Sequence, residues 1–168
     1  MVAISGGDKL ESALRDIASK LKTGGTVRVG FLENATYSDG TPVAMIAAIQ
    51  EFGAPSRKIP PRPFFRRMIA DKSGGWPDTI ATQLKVTNYD VDLTLNRVGA
   101  EIAGQLQLSI RELTDPPLAA STVRAKGFDK PLIDTAVMIN SPQWEVNGVV
   151  AGKVNPIPAP ARRLRGRR

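Results

Sequence analysis

Leu10, Ala13, Leu14, Ile17, Ala18 and Leu21 recur at spacings of three and four, which predicts an amphipathic helix over residues 8–22. Ser5 or Asp8 starts it and Gly24-Gly25 stops it. The period then changes: Thr26–Leu32 is β-branched and alternating and predicts a strand, and Asn34–Thr41 reads as a polar loop closed by Asp39-Gly40. Thr41 and Pro42 suit the cap and first position of a helix over Pro42–Phe52, which Gly53 ends in a left-handed conformation. Its apolar residues Val43, Ile46, Ala47, Ile49 and Phe52 are expected to pack on the sheet.

Further along, Pro63 opens a short helix through Ala70, Ser73-Gly74-Gly75 breaks it, and residues 78–86 form another. Asp92 is expected to cap a longer helix, Leu93–Leu113, with Leu95, Val98, Ile102, Leu106, Ser109 and Ile110 along one mostly apolar side. Gly99 and Gly104 each weaken that helix by roughly 1 kcal/mol relative to alanine, so close packing against another helix is expected there. Asp115-Pro116-Pro117 ends it, and Leu118–Lys126 forms a further short helix stopped at Gly127. In residues 143–150 an Asn147-Gly148 step between apolar residues predicts a type I′ hairpin. From Lys153 the chain is Pro- and Arg-rich and is expected to be disordered when free. These elements define an α+β fold: a small antiparallel or mixed sheet packed with several helices. The division is one domain over residues 1–151, with an extended arm at about 54–63, and a basic tail over 152–168.

The arm is the densest signal. In Ile59-Pro60-Pro61-Arg62-Pro63-Phe64-Phe65 the prolines fix φ and push their preceding residues to extended conformations, so the segment is stiff before anything docks on it. Arg62 offers a planar fork of donors, and Phe64 and Phe65 offer large apolar area, as contact surfaces between proteins do. The same residues also suit a Pro-rich loop that covers the domain's own core.

Three blocks, GFLENATYSDGTPVAMIAAIQEFG (Gly30–Gly53), IPPRPFF (Ile59–Phe65) and KPLIDTAVMINS (Lys130–Ser141), carry a resemblance in their order and spacing. Together they resemble the tail-completion or neck proteins of long-tailed bacteriophages, the minor tail component and virion morphogenesis families. The resemblance implies a structural virion protein that forms a homo-oligomeric ring where tail meets head. Its neighbours would be head-closure, tail-terminator or tail-tube proteins, with DNA in the channel a further contact. The protein would be made in the host cytoplasm and located in the virion. It implies interface roles for Glu51, Phe52, Gly53, Ile59, Pro60, Pro61, Arg62, Pro63, Phe64 and Phe65, with Glu51 fixing the arm by pairing with Arg57 or Arg62. Asp134 and Thr135 would anchor the last block. The family pattern often reads Asp-Thr-Gly where this chain has Asp134-Thr135-Ala136, and alanine tolerates a left-handed turn poorly. A tail terminator at the same junction is a second reading within the virion setting.

Charge changes the picture only at one end. The 168 residues carry a net charge of +7, from 23 basic and 16 acidic residues. Six of the basic residues, Lys153, Arg162, Arg163, Arg165, Arg167 and Arg168, lie in 152–168 with no acid, leaving 17 basic against 16 acidic before them. The near-neutral body argues against a DNA-binding face on the domain, while the arginines suit phosphate or an acidic protein surface. A small nucleic-acid-binding protein working through Arg162, Arg163, Arg165, Arg167 and Arg168 is therefore the reading from another class.

The chain has no histidine and no cysteine. A Ser-His-Asp triad is excluded, as are nitrogen and sulfur ligands for zinc and any disulfide framework. Asp90 with Asp92, or Asp8 with Glu11 and Asp16, lacks the spacing of a calcium loop, and the Gly-Gly pairs lack the Gly-Lys-Ser or Gly-Lys-Thr of a phosphate loop. The Tyr37–Thr41 loop reads as an exposed contact or as a turn tethered by Asp39. No catalytic residue, cofactor or metal site is expected, and no stretch approaches the apolar length of a membrane span.

Overall fold

The computed structural model describes residues 7–32 and 35–161. The fold is α+β. In chain order the elements are α1 (Gly7–Leu21), β1 (Val27–Gly30), α2 (Val43–Phe52), α3 (Phe64–Lys72), α4 (Trp76–Val86), α5 (Val91–Glu112), α6 (Ala120–Lys126), β2 (Gln143–Val146) and β3 (Val149–Lys153).

The sheet is antiparallel in the order β1-β2-β3, with Val27 opposite Val146 and Val29 opposite Trp144. Asn147 and Gly148 turn the β2–β3 hairpin with φ of 51° and 82°, the two left-handed residues that a type I′ turn needs. The Asn147 amide does more than turn. Its Oδ1 accepts from the Thr26 N–H at 3.0 Å and its Nδ2 donates to Asp92 Oδ1 at 2.8 Å, which ties the hairpin to β1 and to the first turn of α5.

α5 crosses one face of this sheet, and Gly99 sets how closely. A Cβ there would lie 2.7 Å from Trp144 Cδ1 and 2.9 Å from Val27 Cγ2. The expected helix–helix contact is thus a helix–sheet contact at Gly99, and Gly104 has nothing within 4 Å. The cap of α5 is Asp90 rather than Asp92: Asp90 Oδ1 accepts from the Leu93 N–H at 2.9 Å, and Asp92 is left to bind Asn147. Further along, α5 supplies Leu106 and Ile110 to a core shared with Val43 and Ala47 of α2, Phe64 and Met68 of α3, and the Leu132–Ile139 segment before β2. α2 therefore packs on helices and on that segment, not flat on the sheet, and Phe52 is 64% exposed.

The C-terminal boundary of the body moves. β3 runs through Lys153, the Val154 N–H donates to the Pro142 carbonyl at 3.1 Å, and Ile157 exchanges two hydrogen bonds with the Asn140 side chain at 2.7 and 2.8 Å. The body thus extends past residue 151, because Ile157 packs against the core that Ile139 belongs to. Arg162, Arg163, Arg165, Arg167 and Arg168 lie outside the described residues. At the other end α1 forms as its periodicity predicts, yet none of its residues is buried. Among the described residues no helix is long and apolar enough to cross a membrane.

Candidate functional site

The arm closes on its own domain, and Glu51 is the reason. The last turn of α2 carries this carboxylate inward to 4% exposure, where it meets the start of α3. Glu51 Oε2 accepts from the Phe65 N–H at 2.8 Å, and Oε1 accepts from the Arg66 N–H at 3.1 Å and Arg66 Nε at 2.8 Å. The first N–H groups of a helix have no partner within it and carry partial positive charge, so one side chain from a different helix caps α3 and neutralises a guanidinium. The partner of Glu51 is Arg66, not Arg57 or Arg62. Local spacing gave no sign of this, since the cap crosses from one helix to another.

Arg62 is 5% exposed and latched elsewhere. Its backbone N–H donates to the Gln50 carbonyl at 2.7 Å, Nη1 to Gln50 Oε1 at 3.1 Å, and Nε to the Pro116 carbonyl at 3.3 Å. Burial pushes the guanidinium below its ordinary pKa, and carbonyl oxygens surround the charge in place of water. The segment between is folded tightly: Ala54 and Ile59 form an antiparallel bridge around a 3₁₀ turn at Pro55–Arg57, and Lys58 takes φ 56°. Gly53 is required beneath it, because with φ 78° a Cβ would sit 2.8 Å from Pro61 N and 2.9 Å from the Ile59 carbonyl oxygen.

Of the residues expected at an interface, Phe64 is a core residue at 1% exposure, edge-on to Phe31 at 6.2 Å between ring centroids. Glu51 and Arg62 are likewise committed within the chain, and Ile59, Pro63 and Phe65 are half-buried. Phe52, Pro60 and Pro61 remain on the surface. The Arg66 guanidinium lies 5.0 Å from the Phe52 ring centroid, so one side of that ring is covered.

Asp134 and Thr135 stand apart from the arm, on the rim of a cavity of about 390 Å³ between the Tyr37–Thr41 loop, α2 and the Pro131–Met138 segment. Ile46 and Gln50 of α2 line its floor beside Leu132 and Met138. Asp39 tethers the loop by accepting from the Thr41 N–H at 3.0 Å, which lowers its pKa. Tyr37 is pushed above its ordinary value by burial first, then by the negative charges of Asp134 and Asp39. Ala136 does adopt the left-handed conformation, φ 62°, that the related pattern gives to glycine, and its methyl group is buried in the core.

No protein-family model, curated protein or solved structure matches the chain.

Proposed function

We propose that this chain is a structural subunit of the neck of a long-tailed bacteriophage, a ring-forming tail-completion protein that joins tail to head. One observation carries the reading. The three blocks that resemble this family lie apart in sequence and converge in space. Glu51 of the first block caps the helix begun by the second, and Ile46 and Gln50 of the first share a cavity with Asp134 and Thr135 of the third. A set of residues that specifies one interlocked substructure is a stronger ground for kinship than the same residues scattered. The blocks then fix a rigid body, and contacts with neighbouring subunits fall to what that body leaves exposed, including Phe52, Pro60 and Pro61.

The test is genetic. Removing the gene from the genome that carries it should give lysates with filled heads and separate tails, visible by electron microscopy, with joining restored by the gene in trans. Normal particles from the deletion would overturn the proposal. The basic residues gathered beyond residue 152 favour, as a second reading, a nucleic-acid-binding protein; its mark would be DNA affinity that falls steeply with salt and disappears on removal of residues 162–168.

A further inference from the structure

Among the described residues two helices, α1 and α2, turn an apolar stripe to solvent. On α1 the stripe is Leu10, Leu14, Ile17 and Leu21, with Leu10 63% and Leu14 57% exposed. On α2 the outer stripe is Met45, Ala48, Ile49 and Phe52 at helical spacing, with Met45 49% and Phe52 64% exposed. α2 reads VAMIAAIQEF, and its only charge, Glu51, is turned inward, so its solvent side carries no charge of its own and meets one only at its end, where Arg66 lies over Phe52. An apolar helix stripe is stabilised by packing on another surface, and a 15-residue helix with no buried residue is marginal in water alone. Both stripes are incomplete in the monomer.

We propose that α1 of one copy packs lengthwise on the outer face of α2 of the next copy, a head-to-tail contact between identical chains. The polar face of α1 supports a protein partner over a lipid surface: Asp8, Glu11 and Asp16 balance Lys9, Arg15 and Lys20, and Arg15–Glu11 and Lys20–Asp16 pair with each other. It lacks the basic excess of a membrane-surface helix. Area decides the kind of assembly. Each stripe offers on the order of 400 Å², about half of what one partner buries in a free-standing complex. A lone pair would be weak, whereas in a closed ring every subunit makes the contact twice and the last contact forms without loss of further translational freedom. The contact builds on the ring reading in taking the partner to be a second copy, and it gives that ring a surface other than the arm.

Light scattering on the eluting peak of the full chain, with two variants, tests it. Leu14→Glu spoils α1, and Met45→Glu spoils the outer face of α2; both positions are exposed, so each variant should keep the wild-type circular dichroism and melting midpoint. The wild type should form a closed oligomer and each variant alone a monomer. Mixed in equal amounts, the variants can make one contact only, of one intact α1 with one intact α2. The mean mass of the mixture should therefore rise with concentration toward that of a dimer and no further, while each variant alone stays monomeric at the same concentrations. Self-association of Met45→Glu with loss only in Leu14→Glu would mean α1 pairs with itself and would overturn the proposal. A wild-type oligomer that survives Leu14→Glu would overturn it and leave the ring reading standing. A wild-type chain monomeric at every concentration, as when α1 folds onto its own α2, would overturn it too, and the gene deletion would then judge the neck reading independently.

Discussion

Glu51 shows how one residue can do the structural work of a motif. Its carboxylate satisfies the Phe65 and Arg66 N–H groups and the Arg66 side chain from a site with almost no solvent, so its removal leaves buried donors without acceptors. Glu51→Ala should therefore cost about 2–4 kcal/mol in urea unfolding, and Glu51→Gln less, because an amide oxygen still accepts one of those bonds. Tyr37 gives a second prediction, on pH. Its folded pKa lies above that of the free phenol, so the neutral ring contributes full stability below about pH 10, and that contribution is lost as pH rises through the folded value. Asp134→Asn removes one of the negative charges responsible but leaves burial, the larger cause, in place. Spectrophotometric titration should then show the Tyr37 phenol ionising at lower pH than in the wild type and still later than a free phenol. No change on Asp134→Asn would mean that Asp134 has no share in the shift, which then rests on burial and Asp39.

At the scale of elements, what was legible in the sequence was what local geometry decides. The periodicity of α1 and α5, the end of α2 at Gly53 and the Asn147-Gly148 turn all follow from residues within a turn or two of one another, although Gly53, with φ 78° and ψ 174°, has a positive φ without the left-handed helical conformation expected there. The destination of the arm was not legible, because Arg62 ends on the backbone carbonyls of Pro116 and Pro117, which any residue type supplies. Asp90 and Asp92 are both good acceptors two positions apart, and only the place of Asn147 separates cap from tether. Gly99 is the sharpest case. Its glycine was readable as a close approach, but the partner, Trp144, belongs to a strand far along the chain. Gly99→Ala should force the indole or β2 aside, costing about 1–3 kcal/mol by thermal unfolding, whereas Gly104→Ala, with open space around it, should be neutral or stabilising by up to about 1 kcal/mol. Equal effects at the two glycines would mean that α5 does not rest on the sheet at Gly99.

For the whole molecule, composition placed the boundary of the body where charge changes, and packing places it later. Pro- and Arg-rich sequence reads as solvated from Lys153 onward, yet Val154 is buried, Ile157 sits against the core, and Asn140 gives both ends of its amide to the Ile157 backbone. The Gln107 side chain adds a bond to the Asn155 carbonyl at 2.8 Å, so residues 154–157 strap the end of α5 to the segment before β2. Relative to a chain ending at Ala161, one ending at Lys153 loses the Val154 and Ile157 side chains and both Ile157 bonds of the part-buried Asn140 amide, whose Oδ1 keeps only the 3.4 Å bond from Gln107. Those losses sum to about 3–5 kcal/mol, which for a domain of this size lowers the melting midpoint by roughly 6–20 °C. Asn140→Ala in the longer chain should reproduce part of the fall, because it removes the two hydrogen bonds and keeps Ile157. Identical midpoints for the chains ending at Lys153 and Ala161 would put the end of the folded body back at β3, and would make the strap a surface feature with no share in stability.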